Sequence, residues 1–289
     1  MDYLLSILII AGIYIILTMS LNLIVGYTGL LSLGHVAFFS VGAYTSSLLA
    51  LNYGLSPWIG LIVGACFAAL LGVVVSFPAL RVKGDYLAIA TFGFAMIAYS
   101  ISNNWVSVTR GPLGLPGIPT FSIFDFYLSE TWSYLLLVIF FVFLTYFIIR
   151  RIVNSPFGRI LNGIREDEIA TLAMGKDVNR QKILVFVISA FFAGIAGSLY
   201  AHYITFIDPS SFTVMESIII LLMVVFGGMG SLSGSFVGAS TLVIFPEVLS
   251  FLNVPTPIAA PLRQMIYGLL LVILMLKRPQ GILGKYKFR

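Results

Sequence analysis

The 289-residue chain is 60% hydrophobic and only 9% charged, with a mean hydropathy of +1.06, whereas a soluble domain carries roughly 25% charged residues. That leaves too little polar surface for a water-soluble fold. The formal charge of +5 does not point to nucleic acid, because the basic residues cluster between apolar stretches instead of forming a stripe interleaved with aromatics. The single cysteine, Cys66, excludes a disulfide framework and a cysteine metal centre.

Met1-Asp2-Tyr3 offers no basic leader, and the apolar run from Leu4 to Val25 is long enough to span, so it is read as a retained first helix. Gly26-Tyr-Thr-Gly29 then makes a turn. The second segment is predicted over Leu30 to Leu51 and the third over Pro57 to Phe77. A basic loop with Arg81 and Lys83 separates the third from the fourth, Asp85 to Ser102, where Asp85 favours the helix dipole. Asn103 to Thr131 is rich in Gly and Pro; its Arg110-to-Pro119 stretch cannot be regular helix and is expected to be an ordered loop or cap, or a simple connector.

The fifth segment spans Trp132 to Ile149, and Arg150 to Lys182 is the long hydrophilic loop. Within it Ser155 and Pro156 read as cap and first helical position, and Gly175 as the stop, predicting one helix from Phe157 to Met174. The sixth segment covers Ile183 to Phe206, with Asp177 as its cap. Phe212 to Phe226 and Phe236 to Leu249 are two short apolar runs around Gly227-Gly-Met-Gly-Ser-Leu-Ser-Gly234, and Leu262 to Leu276 is the last segment. The pattern predicts an all-α polytopic membrane protein, a single domain over residues 1–289, with about nine transmembrane helices (about eight to ten), some broken by Gly-rich turns.

Nine crossings put all of the 16 basic residues except Arg110 and Arg263 on one side. Lys and Arg are retained on the cytoplasmic side, which predicts a cytoplasmic C-terminus and an outside N-terminus.

Glycines concentrate at Gly26, Gly29, Gly34 and Gly42 and again at Gly227, Gly228, Gly230, Gly234 and Gly238. Each cluster holds a Ser-Leu step, Ser32-Leu33 and Ser231-Leu232, followed by a Gly-Ala pair. This is a remnant of internal repetition or simply close helix packing. Ionisable residues inside spans are costly, and here they are His35, Asp85, His202, Glu216 and Glu247. The two histidines read as neutral, hydrogen-bonded interior residues more readily than as ligands. Ser32, Gly34, His35, Glu216, Gly228, Gly230 and Ser231 are the candidate translocation pathway. In the loop, Ile160, Leu161, Ile164, Ile169, Leu172 and Ala173 offer apolar contacts among mixed charges. Such a helix suits docking to a soluble partner, although the pattern alone favours a solvated connector or a helix on the lipid surface. Neither a metalloprotease motif, a P-loop nor a complete serine-hydrolase elbow is present, so no catalytic, metal or cofactor residues are assigned.

Ser155-Pro-Phe-Gly-Arg159, Ile164-Arg-Glu-Asp-Glu-Ile-Ala170 and Ala173-Met-Gly175 resemble the ATPase-coupling loop of branched-chain amino-acid ABC importer permeases of the LivM type. Ser20-Leu-Asn-Leu-Ile-Val-Gly26, Gly29 to Phe39, Arg81 to Ile89, Gly111 to Pro119, Gly227 to Gly234 and Arg278-Pro-Gln-Gly-Ile-Leu-Gly284 match in the same order over nearly the whole chain. The resemblance implies a multi-pass subunit of a bacterial or archaeal cell membrane, working with a homologous permease of the LivH type, two cytoplasmic ABC ATPases that use the ATP, an extracytoplasmic solute-binding protein and an amino-acid substrate. It places ATPase coupling at Arg159, Arg165, Glu166, Asp167, Glu168, Ala170 and Gly175. Importers of urea or short amides share this architecture, and an ion-coupled secondary transporter is the more distant alternative.

Overall fold

The computed structural model describes residues 2–82, 84–123, 126–127, 130–250 and 280–284, with isolated positions at 265, 268, 269 and 272. The last predicted segment and most of the basic tail lie outside the described residues, as does the side chain of Glu247.

Helix α1 (Asp2–Thr28) is the axis of the bundle. Beyond its first turns its sequence has no polar face, and the fold encloses it: Ile9, Ile13, Ile16, Leu17, Leu21 and Ile24 are all fully buried. Among the described residues four long helices gather around it: α6 (Thr131–Val153), α9 (Val178–Ile204), α10 (Val214–Gly227) and α11 (Leu232–Ser250). A second tightly packed group joins α2 (His35–Tyr53) and α3 (Pro57–Arg81) to α9. Here Gly42 lies against the Gly194 backbone, and a Cβ on Gly64 would come 2.8 Å from the Gly42 carbonyl oxygen. Small residues allow this approach where lipid gives no hydrophobic drive between helices.

The other glycine cluster does the same work, since a Cβ on Gly238 would come 2.9 Å from the Gly227 nitrogen. Helix α4 (Asp85–Asn104) is more loosely held at the edge. Ile62 and Leu70 of α3, Ile89 and Ile97 of α4, and Leu136, Phe140, Phe143 and Phe147 of α6 are exposed. An apolar surface of that extent suits lipid rather than water.

Among the described residues five helices are long and apolar enough to cross a membrane: α1, α3, α4, α6 and α9. The about nine crossings predicted are not all helices of full length. Residues 29–34 run without helix, so α2 starts only at His35 rather than Leu30, level with Ser20, where His35 Nε2 lies 2.8 Å from Ser20 Oγ. That is about 12 Å inside the end of α1 at 1.5 Å per residue. Helix α10 has 14 residues, about 21 Å, short of the about 30 Å hydrocarbon core.

The segment after α4 is ordered without long helix: α5 (Val106–Thr109), a 3-10 turn at Gly111–Leu113, then β1 (Leu115–Pro116). A hairpin of β2 (Ser122–Ile123) and β3 (Phe126–Tyr127) follows, and β1 pairs antiparallel with β4 (Phe206–Ile207), Leu115 opposite Ile207. Arg110, Gly111, Gly114 and Gly117 all take positive φ, so the chain folds back on itself repeatedly.

Candidate functional site

The hydrophilic loop forms two helices, not the single one predicted from Phe157 to Met174: α7 (Pro156–Glu166) and α8 (Glu168–Ala173). Asp167 separates them. Its backbone is extended (φ −156°), and its carboxylate Oδ1 accepts from the amides of Ile169 at 2.8 Å and Ala170 at 3.0 Å. It ends one helix and caps the next. Ser155 holds the cap position of α7 but does not cap it, because its hydroxyl donates to Ile152 O at 2.6 Å. Gly175 at φ 74° turns the chain after α8, and Asp177 caps α9 through the Arg180 amide at 3.0 Å.

The break sorts the apolar residues. Leu161 and Ile164 of α7 are buried against the bundle, whereas Ile169, Leu172 and Met174 are 71%, 50% and 67% exposed. Around this apolar patch Arg159, Glu166, Asp167, Ala170 and Gly175 are also exposed. Glu168 instead binds inward, pairing with the buried Lys182 Nζ at 2.8 Å and tying α8 to α9.

Arg165 reaches into the bundle. Its Nη1 donates to Gly26 O at 2.7 Å and its Nη2 contacts Glu166 Oε1 at 3.1 Å. Gly26 lies in the last turn of α1, where carbonyls lack intrahelical partners and a cation meets the negative end of the dipole. Gly29, at φ 72°, leaves room for the arginine: a Cβ there would come 2.9 Å from Arg165 Cγ. One turn below, Asn22 is fully buried and its amide makes three bonds, accepting from the Gly230 amide at 2.9 Å and donating to Ser231 O at 2.9 Å and Ser235 Oγ at 2.7 Å. The segment at Gly281–Gly284 closes the same corner, since Ile282 N donates to Phe226 O and Leu283 N to Gly227 O. Sequence reasoning missed Asn22; a lone amide in an apolar span was the available signal.

The pathway candidates divide into two levels. Gly228, Gly230 and Ser231 form the turn between α10 and α11 beside the end of α1. Ser32, Gly34, His35 and Glu216 lie deeper in the bundle. Val36 N donates to Ser217 Oγ at 2.9 Å, joining the starts of α2 and α10, and Tyr14 donates to Glu216 Oε1 at 2.9 Å. Glu216 Oε2 is buried with no hydrogen-bond partner among the described residues. Tyr14 and Gly26 are about 18 Å apart along α1, so the two levels are not one cluster.

Ser20 Oγ donates to Leu17 O, so His35 Nε2 is the donor to Ser20. His202 contacts Pro119 O through Nδ1 at 2.6 Å and Ser46 Oγ through Nε2 at 2.6 Å. A carbonyl only accepts, so Nδ1 carries the proton and Ser46 donates to Nε2. Both histidines act as interior hydrogen-bonding groups. Among the described residues no three His, Cys, Asp or Glu side chains are gathered to hold a metal. Asp208, in the link before α10, is raised by partial burial, but hydrogen bonds from Ser210 at 2.5 Å and Ser211 at 2.6 Å outweigh this and hold its carboxyl below the usual value.

Long apolar helices, a lipid-suited surface, interrupted helices at depth and one amphipathic helical pair at the basic end define a multi-pass membrane transport subunit. The chain belongs to the family of permease components of branched-chain amino acid transport systems, whose model matches residues 3–275. It is an ABC permease, and its family works within transport systems of several subunits. It is 39% identical to the high-affinity branched-chain amino acid transport permease LivM of Escherichia coli (strain K12), over 94% of this chain and 68% of that protein. A probable LivM of Methanocaldococcus jannaschii is 28% identical over 98% of this chain and 93% of its own. The LivH permease of Salmonella typhimurium is 23% identical over 94% and 91%. No solved structure matches the chain.

Proposed function

We propose that this chain is one half of a pore through which branched-chain aliphatic amino acids enter the cytoplasm, driven by ATP hydrolysed on separate ABC subunits that dock at α7 and α8. The observation that carries this reading is the division of the loop into a helix anchored on the bundle by one face and a second, more exposed helix. Ile169, Leu172 and Met174 stand outside while Leu161 and Ile164 anchor the pair. An apolar patch with a charged rim is the composition of a protein interface.

Arg81, Arg150, Arg151, Arg159, Arg165, Lys176, Arg180 and Lys182 gather at the α7–α8 end and Arg110 at the other, which supports a cytoplasmic position for the loop. A LivH-type permease supplies the other half of the pore, and a solute-binding protein delivers the amino acid at the Arg110 end. Ser32, Gly34, His35 and Glu216 form the deep part of the pathway, with Glu216 Oε2 the acceptor for the substrate's ammonium group. Gly228, Gly230 and Ser231 form its inner end.

The test is uptake of labelled leucine by proteoliposomes holding the permease pair, ATPases and binding protein. Uptake is expected to need ATP, and Ile169→Asp with Leu172→Asp is expected to abolish it, and with it retention of the ATPase subunits, while the chain still inserts. Uptake that persists without ATPases and follows an ion gradient overturns the reading in favour of a secondary carrier.

A further inference from the structure

We propose that Arg165 and Asn22 are positioning residues that carry movement of α7 to the turn between α10 and α11, so that displacement of the docking helices is read out at Gly228–Ser231. This rests on the coupling role proposed for α7 and α8.

The hold of α7 on the bundle has two parts. Leu161 and Ile164 bury apolar surface, a non-directional contact that tolerates sliding. Arg165 makes a directional one, since its Nη1 donates to Gly26 O and ties the end of α7 to the last turn of α1. The guanidinium offers five donors in a planar fork, and an exposed loop residue has no need to bury it. Yet the Arg165 side chain is only 16% exposed, against 62% for its neighbour Glu166.

The acceptor is placed where the second link begins. A Cβ on Gly26 would collide with both Asn22 Oδ1 and the Gly230 nitrogen, and a Cβ on Gly230 would come 3.0 Å from Arg165 Nη1. The arginine head, the end of α1 and the turn therefore meet at one point, with the Asn22 amide beside them. Asn22 grips the turn at Gly230, Ser231 and Ser235. On its other side the turn meets the Gly281–Gly284 segment, whose Ile282 and Leu283 amides donate to Phe226 O and Gly227 O, and Gly228 and Gly230 hold φ of 118° and 71°, which L side chains rarely adopt. A shift of α7 therefore pulls on the end of α1 through Arg165 and on the turn through Asn22, and packed elements pass such a shift on by moving between discrete arrangements.

A chain of contacts becomes a coupling route only when its members are energetically linked, so the test is a double-mutant cycle in the complete reconstituted transporter. ATP hydrolysed per leucine transported is measured for wild type, Arg165→Ala, Asn22→Ala and the double variant. Each single variant is expected to keep ATP hydrolysis while uptake falls about tenfold, within the usual range of coupling between sites, and the double variant is expected to be no worse than either. Arg165→Lys, which keeps one donor for Gly26 O, is expected to recover much of the coupling. Should Asn22→Ala fail to insert, Ser235→Ala, which removes one of the three amide bonds, takes its place in the cycle.

Additive losses in the double variant, a parallel fall of hydrolysis and uptake, or an unchanged ATP-to-leucine ratio overturns the proposal. The wild-type arm keeps the underlying reading separate. ATP-independent uptake there defeats the coupling role of α7 and α8, whereas ATP-dependent uptake with unaffected variants defeats only the Arg165–Asn22 route.

Discussion

Asp208 shows how a single carboxylate holds a connection whose own backbone bonds are few. Its two oxygens accept from the Ser210 and Ser211 hydroxyls and from the Ser211 amide at 3.2 Å, closing the 3-10 turn Pro209–Phe212 that leads into α10. Because its folded carboxyl is lowered from 3.8, the bonds add stability that is complete above the unfolded carboxylate range and is lost as pH falls through the lower folded value. Protection of the amides across 208–213, taken relative to the intrinsic exchange rate at each pH, is expected to be constant near neutral pH and to fall below about pH 4. Asp208→Asn is expected to exchange faster at neutral pH and to lose the acid transition. A transition unchanged in the variant assigns it to another group. At this scale the sequence was informative about type and silent about partner. The histidines were legible as interior groups, because a charged imidazole is costly in an apolar span, but Pro119 lies 83 residues from His202 and no local pattern joins them.

Among the elements, α8 depends most on one side chain. It has six residues, far fewer than the about 12–15 an isolated helix needs. Asp167→Ala removes the acceptor for the Ile169 and Ala170 amides, a loss of about 1 kcal/mol, and is expected to speed exchange across 168–174 about fivefold and weaken ATPase binding. Asp167→Asn keeps an acceptor oxygen and is expected to retain most of both. If Asn behaves like Ala, charge rather than capping is what matters. The long helices were readable because each carries a long apolar run with Pro, Gly or charge at its ends. The break at Asp167 was not, since Arg165-Glu-Asp-Glu168 reads as continuous helix until the carboxylate is seen turned onto its own backbone. The late start of α2 escaped for a similar reason: Leu30 and Leu31 look helical, but Gly29 at φ 72° and the bond from Leu33 N to Thr91 Oγ1 at 3.0 Å hold the segment out of helix.

The whole molecule brings together motifs that are far apart in sequence. Gly26, Arg165, the Gly227–Gly234 turn and Gly281–Gly284 converge at one end of the bundle, although Arg165 and Gly26 are 139 residues apart and Asn22 and Ser231 are 209 apart. Their order along the chain was visible, whereas their meeting needed the fold. The same end holds the exposed α8, and α9, about 40 Å long at 1.5 Å per residue, separates it from the loop that carries Leu113. This geometry makes the orientation testable. Cys66 is the sole cysteine, so a Cys66→Ser background carries no thiol and each introduced cysteine is a single reporter, and Met174 and Leu113, 67% and 80% exposed, are natural sites at opposite ends. On intact cells a membrane-impermeant thiol reagent is expected to label Leu113→Cys and spare Met174→Cys. In inverted vesicles stripped of ATPase subunits the pattern is expected to reverse, with added ATPase shielding Met174→Cys. Labelling of Met174→Cys on intact cells would put α8 outside, where no ATP is hydrolysed, and the docking role of α7 and α8 would fall with the orientation.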